Sequence, residues 1–407
     1  MLRCGLLGER LSYSYSPAIH ERLGAYEYRL CEIPREGLDA FLRETPFDGL
    51  NVTIPYKKAV VPYCAELSPT ARALGSVNTL VRRADGALFG DNTDAFGFET
   101  LLRTAGLDPA GKKTLVLGSG GASVTVCHVL RALGAKEVVV ISRTGENNYS
   151  NLEKHADAAL LVNATPVGTY PGNGEATADL RRLPRLEGVA DLIYNPKRTA
   201  LLLQAEELGI PRAGGLTMLV AQALRSSEQF QGKALDAALI PAIEKELERS
   251  MRNIILVGMP GSGKTTVARA LSRALDRPLA DVDVLVEETA GVSIPEIFAR
   301  GGEALFRRYE TEALAQLGKQ SGIILSTGGG CVTRLENYPL LHQNGTIFWL
   351  RREVAALSRE GRPLSLGADL EAMFKEREPL YRRFADHVID NNGPVEDAAA
   401  RILEVLK

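Results

Sequence analysis

One stretch of the chain, residues 254–266, restricts the possible folds more than any other part of the sequence. It reads Ile-Ile-Leu-Val-Gly-Met-Pro-Gly-Ser-Gly-Lys-Thr-Thr, which is an apolar strand, a glycine-rich loop and the start of a helix. Gly261 and Gly263 permit a tight turn that directs backbone N–H groups at a phosphate. Lys264 adds a positive charge, and the Thr265 hydroxyl can ligate magnesium. The stretch therefore predicts a phosphate-binding P-loop.

The P-loop lies late in the chain. A loop of this type normally follows the first strand of its domain, so about 250 residues upstream belong to something else. The length of 407 residues also exceeds what a single hydrophobic core usually serves. We therefore expect several domains, with the P-loop domain at residues 251–407.

The composition is typical of a globular protein that acts on small molecules. Hydrophobic residues make up 45% of the chain, charged residues 24%, and the net charge is −2, which does not suit a nucleic-acid-coating protein. The N-terminus becomes charged too soon for a secretory signal, and no apolar run reaches membrane-spanning length. We expect a cytoplasmic protein with small-molecule partners and with neither nucleic acid nor membrane as a partner. The oligomeric state is not predicted.

Polar side chains recur at the ends of several short strands in the first 100 residues, where they can converge on a polyhydroxylated ligand. A lysine held by a carboxylate can transfer a proton to or from an oxygen, which makes Lys57 and Asp94 a candidate acid–base pair. Simpler interpretations stay open, since Ser14 and Ser16 can act only as helix caps and Lys57 can be as exposed as Lys58. The polar residues are Ser14, Ser16, Asn51, Thr53, Lys57, Asn78 and Asp94.

These residues stand within motifs that resemble the substrate half of the shikimate dehydrogenase family. The motifs are Ser14-Tyr-Ser16-Pro17, Asn51-Val-Thr53-Ile-Pro55-Tyr-Lys57, Val77-Asn78-Thr79 and Gly90-Asp91-Asn92-Thr93-Asp94. The resemblance implies that Lys57 and Asp94 form the catalytic pair. It also implies that the shikimate hydroxyls and carboxylate are bound by Ser14, Ser16, Asn51, Thr53, Asn78 and Asp94.

Residues 112–141 predict a βαβ unit that binds a dinucleotide. A strand runs into Gly118-Ser-Gly-Gly-Ala-Ser123, and a helix and a second strand follow. The glycines permit a close approach to a pyrophosphate, although Ser123 replaces the third small residue of the usual pattern. The second strand ends in Ser142-Arg143-Thr144, with no acidic residue to accept a ribose 2′-hydroxyl, which favours NADP over NAD. The predicted cofactor residues are Gly118, Ser119, Gly120, Gly121, Ala122, Ser142, Arg143 and Thr144.

Three further motifs resemble the same family in the same order. They are Leu161-Val-Asn163-Ala-Thr165-Pro166-Val-Gly168, Asp191-Leu-Ile-Tyr194-Asn-Pro196 and Gly215-Leu-Thr-Met218-Leu-Val-Ala-Gln222. The resemblance implies that Tyr194 and Gly215 lie beside the nicotinamide and that Gln222 contacts the substrate, while a purely structural role stays open for each. Only a short polar stretch, residues 145–154, stands where the family usually inserts a helix and a strand. We therefore expect a trimmed Rossmann domain.

Candidate residues for phosphoryl transfer follow the P-loop. Asp281 can hold magnesium through water, and Asp283 can orient an attacking hydroxyl or accept its proton. Arg307 and Arg377 can grip a carboxylate, because a guanidinium fork matches its geometry. Arg362 lies in a charged, glycine-containing stretch typical of a mobile lid. We interpret four other arginines as solvated surface residues, namely Arg351, Arg352, Arg382 and Arg383.

Residues 252–407 as a whole resemble shikimate kinase. The motifs are the P-loop, Asp281-x-Asp283, Gly302-Glu303…Phe306-Arg307, Gly328-Gly329-Gly330, Arg362-Pro363-Leu364 and Arg377…Pro379-Leu-Tyr381. The resemblance implies that shikimate is bound by Asp283, Arg307, Gly329, Gly330 and Arg377, and that Arg362 is the lid arginine. It implies that ATP is bound with Mg²⁺ by Gly261, Ser262, Gly263, Lys264, Thr265 and Thr266.

The expected fold is α/β throughout. We expect a substrate domain at residues 1–100 that is completed by about 215–250, a Rossmann NADP domain at 101–214, and a nucleoside-monophosphate-kinase-like domain at 251–407. The expected enzyme is bifunctional: it reduces 3-dehydroshikimate to shikimate with NADPH and then phosphorylates shikimate to shikimate 3-phosphate with ATP. Three alternatives remain. The first half can act on quinate with NAD, it can hold substrate without turnover, or the P-loop half can be a regulatory switch.

Overall fold

The structure, a computed structural model, describes residues 1–11, 14–357 and 369–407. The chain divides into two compact units. The first unit comprises residues 1–167, 176–194 and 204–246, and the second comprises residues 168–175, 195–203 and 247–407. Two short segments from the middle of the sequence thus belong to the second unit. The three-domain division remains a prediction.

The first sheet of the first unit is mixed and six-stranded, in the order β2-β1-β3-β5-β6-β4. Strands β1 and β3 pair in parallel, whereas β3, β5 and β6 pair antiparallel. The polar ends of β3, β5 and β6 consequently lie close together. The bounds are β1 (Arg3–Gly8), α1 (Ser16–Leu23), β2 (Glu27–Glu32), α2 (Leu38–Glu44), β3 (Gly49–Val52), β4 (Glu66–Leu67), α3 (Pro69–Leu74), β5 (Thr79–Arg82), β6 (Leu88–Asp91) and α4 (Asp94–Ala105).

The second sheet of the first unit is parallel and five-stranded, in the order β11-β10-β9-β7-β8. Strands β7, β9 and β10 are largely buried, which is typical of a parallel sheet that is covered on both faces. Strand β8 forms one edge, and only a short 3-10 helix at Tyr149–His155 lies between β8 and β9. The bounds are β7 (Lys113–Leu117), α5 (Gly121–Ala132), β8 (Glu137–Ile141), β9 (Leu160–Asn163), β10 (Gly188–Asp191), β11 (Arg212–Ala213) and α7 (Leu216–Gln231). Two further helices, α6 (Ala200–Glu207) and α8 (Leu239–Met251), each have residues in both units.

The second unit is built on a parallel five-stranded sheet in the order β13-β14-β12-β15-β16. Alternate residues of its strands enter two separate cores: Ile255 and Val257 belong to one, and Ile254 and Leu256 to the other. The bounds are β12 (Asn253–Val257), α9 (Lys264–Leu275), β13 (Leu279–Asp281), α10 (Val282–Ala290), α11 (Ile294–Leu317), β14 (Ile324–Ser326), α12 (Asn337–His342), β15 (Gly345–Arg351), α13 (Leu370–Phe384), β16 (His387–Asp390) and α14 (Val395–Val405).

Helix α11 contains a break that positions several polar side chains. Gly302 has φ 66° and ψ −162°, a conformation that is essentially restricted to glycine. The helix resumes after it, and Glu303, Arg307 and Glu310 follow at helical spacing on one face.

In the part of the chain that the structure describes, no helix combines the length and the apolar character needed to cross a membrane.

Candidate active sites

The first unit contains a cavity of about 280 Å³ at the polar strand ends. Its lining includes every residue of that unit that the sequence suggested for substrate binding or proton transfer. The sequence motifs are far apart along the chain, but the mixed sheet and helix α7 bring them to this one place. The predicted residues that line the cavity are Ser14, Ser16, Asn51, Thr53, Lys57, Asn78, Asp94, Ala122, Tyr194, Gly215 and Gln222.

Lys57 and Asp94 form an ion pair inside this cavity. Nζ of Lys57 lies 2.5 Å from Oδ2 of Asp94, and the two side chains are 32% and 18% exposed. The other carboxylate oxygen of Asp94 accepts a 2.9 Å hydrogen bond from Nδ2 of Asn78. Asp94 is also the first residue of α4, where the helix dipole favours a negative charge. Lys57 is therefore a positioned ammonium that is partly shielded from water.

Ser226, which the sequence reasoning missed, lies at the centre of a buried hydrogen-bond network beneath the cavity. Its Oγ accepts a 2.7 Å hydrogen bond from Nδ2 of Asn51 and lies 2.9 Å from the Thr79 hydroxyl and 3.1 Å from that of Thr93. Tyr28 donates to Oδ1 of Asn51 at 2.8 Å. Both ends of the Asn51 amide are thus engaged by protein groups, which fixes its orientation. A single serine in a helical sequence carries no signal that could have revealed this role.

Tyr194, Gly215 and Gln222 line the same cavity. The Tyr194 ring packs edge-on against Tyr15 with centroids 5.8 Å apart, and burial raises the pKa of its phenol. A Cβ on Gly215 would lie 2.0 Å from the carbonyl oxygen of Leu192, so only glycine fits there. Gln222 donates from Nε2 to its own helix, to the carbonyl of Leu219.

The turn between β7 and α5 has the features of a dinucleotide cradle. Gly118 has φ +100°, which favours glycine. A Cβ at Gly120 or Gly121 would meet no atom within 4 Å, so open space faces the N-terminus of α5. That space fits a pyrophosphate, because unpaired backbone N–H groups at a helix start favour anions. Ser119 lies in the same turn, and Ala122 lies in the first turn of α5.

Ser142, Arg143 and Thr144 follow the end of β8. Arg143 and Thr144 are exposed, and the backbone N–H of Ser142 donates to the carbonyl of Asn147. An exposed guanidinium at this position of a βαβ unit suits a 2′-phosphate.

The P-loop of the second unit has the expected backbone geometry. Gly258, Gly261 and Gly263 have φ of +151°, +86° and +90°, and α9 begins at Lys264. Nζ of Lys264 donates to the carbonyl oxygens of Gly258 and Met259, at 2.9 and 3.1 Å, and the residue is 8% exposed. The lysine thus lies along the loop where a polyphosphate fits.

Oxygen ligands suitable for magnesium meet at the start of α9. The Thr265 hydroxyl donates to Oδ2 of Asp281 at 3.2 Å and lies 3.1 Å from the hydroxyl of Ser326. Magnesium prefers such oxygen ligands and usually completes its shell with phosphate and water. The sequence suggested Thr265 and Asp281, but not Ser326, which is the last residue of β14.

Arg307 is buried beside the glycine run that follows β14. Its Nη1 donates to Oε2 of Glu310 and its Nη2 to Oε1 of Glu303, both at 2.8 Å. Burial on its own would lower the pKa of the Arg307 guanidinium, but Glu310 and Glu303 raise it above its ordinary value. Burial raises the pKa of the Glu310 carboxyl despite the attraction of Arg307. Arg307 therefore stays charged.

Each glycine of the run Gly328–Gly330 packs against a different group. A Cβ would lie 2.3 Å from Oε1 of Glu310 at Gly328, 2.6 Å from the Pro260 ring at Gly329, and 1.9 Å from Nη2 of Arg307 at Gly330. Asp283 is close as well, with its Oδ1 3.4 Å from the Cβ position of Gly328. The run thus joins the P-loop to the predicted acceptor residues.

Arg377 reaches the same place from α13. It is 8% exposed, and its Nη1 lies 3.4 Å from the carbonyl oxygen of Gly329, which also accepts a hydrogen bond from the Tyr381 hydroxyl. Arg307, Arg377 and Asp283 therefore all lie beside the backbone of Gly328–Gly330.

Arg352 is not a solvated surface residue, since it is half-buried with a buried Nε, and its Nη1 lies 3.8 Å from the Cβ position of Gly263 in the P-loop. The predicted lid arginine Arg362 lies outside the described residues. Glu310 was missed, although its spacing of three from Arg307 on a helix is a recognisable pairing signal.

Comparison with protein families divides the chain in the same order as the motifs. Residues 6–80 match the shikimate dehydrogenase substrate binding domain, and residues 260–407 match shikimate kinase.

Known proteins resemble the N-terminal part. The chain is 32% identical over 265 residues to the shikimate dehydrogenase (NADP(+)) of Clostridium perfringens, which covers 60% of this chain and 97% of that protein. The Thermus thermophilus shikimate 5-dehydrogenase in complex with NADP(H) and shikimate has a TM-score of 0.56 and 33% identity, covering 60% of this chain and 99% of that one. A quinate dehydrogenase from Corynebacterium glutamicum in complex with NAD has a TM-score of 0.55 and 29% identity, covering 60% and 98%.

These matches agree with the sheets, the P-loop and the clustered side chains. The chain belongs to the shikimate dehydrogenase family and carries a shikimate kinase domain at its C-terminus, so that it is a bifunctional enzyme.

Proposed function

We propose that the chain carries out two successive reactions on one small acid. At the first unit, 3-dehydroshikimate is reduced by NADPH to shikimate. At the second, shikimate is phosphorylated by ATP with Mg²⁺ to shikimate 3-phosphate. The first reaction is supported by the Lys57–Asp94 pair within the cavity. The second reaction is supported by the position of Arg307, Arg377 and Asp283 beside the P-loop.

The chemistry of the first site requires a hydride at the carbonyl carbon and a proton at the carbonyl oxygen. Bound NADPH supplies the hydride. Lys57 donates the proton to the oxygen, which becomes the new hydroxyl, and Asp94 keeps the ammonium oriented through their 2.5 Å contact. Ser14, Ser16 and Thr53 provide hydroxyl groups along the cavity that can fix the ring.

Two groups of residues would hold the cofactor. The turn at Gly118–Ala122 would bind the pyrophosphate, and Ser142, Arg143 and Thr144 would bind the 2′-phosphate. Gly215 and Tyr194 line the cavity where the nicotinamide must approach the substrate.

At the second site the protein contributes position and charge, since phosphoryl transfer needs little covalent chemistry from the protein. Arg307 and Arg377 would grip the shikimate carboxylate, and Asp283 would orient the attacking hydroxyl and accept its proton. Lys264 and the P-loop N–H groups would hold the phosphates, with Mg²⁺ at Thr265 and Asp281. Arg362 would add charge from the lid.

The full-length protein tests both reactions in one experiment. Lys57→Ala should lose NADPH oxidation with 3-dehydroshikimate, by about a hundredfold or more, because a positioned proton donor is removed. It should still phosphorylate added shikimate. Lys264→Ala should show the reverse pattern, and Lys58→Ala, at an exposed neighbour of Lys57, should leave both activities unchanged.

Other outcomes discriminate between the alternatives. If the wild-type protein never consumes NADPH, the first unit is a substrate holder. If it hydrolyses ATP without phosphorylating shikimate, the second unit is a switch. If either lysine variant loses both activities while it remains folded, the two-site proposal is wrong.

Quinate oxidation with NAD is a second candidate for the first unit, favoured by the similarity to the quinate dehydrogenase. Steady-state kinetics with both substrates and both cofactors separate the two. We expect a higher kcat/KM for shikimate with NADP, and we expect Arg143→Ala to raise the KM for NADP about tenfold while the KM for NAD changes little, because only NADP carries the 2′-phosphate. A preference for quinate and NAD would reverse the assignment.

A further inference from the structure

Arg352 and Asn391 border the P-loop on the side away from the acceptor residues. Strand β12 is central in the sheet of the second unit. Strand β14 lies on one side of it, and β15 and β16 lie on the other side. Asp281 is the last residue of β13 and the glycine run follows β14, whereas Arg352 follows β15 and Asn391 follows β16. Because the strands are parallel, all of these residues lie at the same edge as the P-loop.

The contacts at this border are close. Gly258, the first glycine of the P-loop, packs against β15, since a Cβ on Gly258 would lie 2.6 Å from the carbonyl oxygen of Leu350. Nδ2 of Asn391 donates to the carbonyl oxygen of Ser262 at 2.5 Å and lies 3.1 Å from the Cβ position of Gly263. Nη1 of Arg352 lies 3.8 Å from that same position. The guanidinium therefore faces the residue that immediately precedes α9.

Two buried polar atoms at this border have no hydrogen-bond partner among the described residues. Asn391 is 2% exposed, yet its Oδ1 accepts no hydrogen bond from any described residue. Nε of Arg352 is buried and likewise finds no acceptor within the described ranges. A buried guanidinium nitrogen without an acceptor is costly unless a ligand supplies one.

The position of the acceptor determines which part of the nucleotide reaches Arg352. The γ-phosphate must point towards Asp283, Arg307 and Arg377, on the β13 and β14 side. The α-phosphate and the nucleoside must then extend across the P-loop towards β15 and β16. A guanidinium at the start of α9 on that side meets the inner phosphates, which ATP and ADP share.

We propose that Arg352 binds the α- and β-phosphates of the nucleotide, while Asn391 positions the Ser262–Gly263 peptide of the P-loop for it. This inference rests on the proposed kinase activity. It gives the site a cation on the nucleotide side that is independent of Lys264 and of the lid.

Calorimetric titration of the full-length protein with MgADP and MgATP, together with kinase kinetics at varied shikimate concentration, tests the role of Arg352. For Arg352→Ala we expect about a tenfold weaker Kd for both nucleotides, because a charge-assisted contact is lost, and an unchanged KM for shikimate in the kinase reaction. Arg352→Lys keeps the charge but not the forked guanidinium. Its Kd for the nucleotides should lie between that of the wild type and that of Arg352→Ala. Arg351→Ala is the matched control, since this neighbour is exposed, and it should bind as the wild type does.

Other results of these measurements would contradict either the role of Arg352 or the kinase proposal. Wild-type affinity for both nucleotides in Arg352→Ala overturns the inference and leaves the kinase activity intact. Loss of ATP affinity alone places Arg352 at the γ-phosphate and contradicts the inner-phosphate contact. A raised KM for shikimate in the kinase reaction as well shows a general structural role instead. A wild-type protein that binds neither nucleotide refutes the kinase proposal itself.

Discussion

Gly328–Gly330 shows at the scale of single residues how a motif can have two functions at once. Glycine lets a substrate approach the backbone, which the sequence suggested. Each of the three residues also makes room for a particular group, namely Glu310, Pro260 and Arg307. The chemistry and the packing therefore exclude a side chain for separate reasons, and the second reason is visible only in the structure.

Gly330→Ala tests the packing reason. Its Cβ would lie 1.9 Å from Nη2 of Arg307, so the guanidinium must move away from its two glutamate partners. We expect the KM for shikimate to rise at least about tenfold, since a misplaced positioning group typically costs more than that. The affinity for ATP should change little.

Gly393→Ala is the matched control for that substitution. A Cβ on Gly393 would lie 3.6 Å from Oδ2 of Asp397, which is ordinary van der Waals contact. Kinase kinetics at varied shikimate concentration measure both variants. An unchanged KM for Gly330→Ala would show that Arg307 does not need its observed position.

At the scale of elements, α1, β2 and α7 pack around a buried histidine. His20 of α1 is 1% exposed, its ring stacks on Tyr28 of β2 with centroids 3.9 Å apart, and its Nδ1 lies 2.6 Å from the Tyr26 hydroxyl. Tyr26 in turn donates to Ser227 of α7 at 2.8 Å. Burial lowers the pKa of His20 to about 3, so the ring is neutral in the folded protein. The cluster supports Asn51, to which Tyr28 donates.

This packing predicts a specific acid sensitivity. Between pH 6.5 and about 3 the unfolded chain binds a proton at His20 that the folded chain does not. The free energy of unfolding should therefore fall as the pH falls, by about 1.4 kcal/mol per pH unit within that window. His20→Phe keeps the stacking and removes the titration, so its stability should depend less on pH.

Hydrogen exchange of the β1 and β2 amides at pH 7 and pH 4.5 measures this effect locally. The comparison of wild type and His20→Phe at each pH cancels the intrinsic exchange rate, and the β12 amides of the second unit provide an internal reference. The same acid-induced loss of protection in both proteins would show that His20 is not its source.

At the scale of the whole molecule, the second unit is completed by chain from the middle of the sequence. Residues 195–203 belong to it, and the backbone N–H groups of Lys197 and Arg198 donate to Oδ1 of Asn344 and to the carbonyl of Gln343. Nη1 of Arg198 donates to the carbonyl of His342 at 2.8 Å. The kinase domain of this chain therefore uses residues that precede the P-loop by more than fifty positions.

Arg198→Ala should destabilise the second unit by about 1–3 kcal/mol, because carbonyl groups in that unit lose a charged donor. Trp349 is the only tryptophan of the chain and is buried in that unit, so its fluorescence during denaturant unfolding reports on it alone. Arg185→Ala, at an exposed arginine of the first unit, is the control. An unchanged midpoint in Arg198→Ala would mean that the segment adds no stability.

The features that arise from local conformation follow from short stretches of the sequence. The P-loop and the β7–α5 turn depend on a few adjacent residues, because backbone dihedral angles and helix starts are set by near neighbours. The order of the motifs was also enough to identify both families.

The contacts between groups that are distant along the chain are visible only in the folded protein. Ser226 lies 147 residues from Thr79 and Arg352 is 89 residues from Gly263, yet each pair is in close proximity. Such contacts follow from how strands and helices pack, and packing depends on the shape and volume of whole faces rather than on any local pattern. For the same reason, an arginine that the sequence presented as a surface residue lies against the phosphate-binding loop.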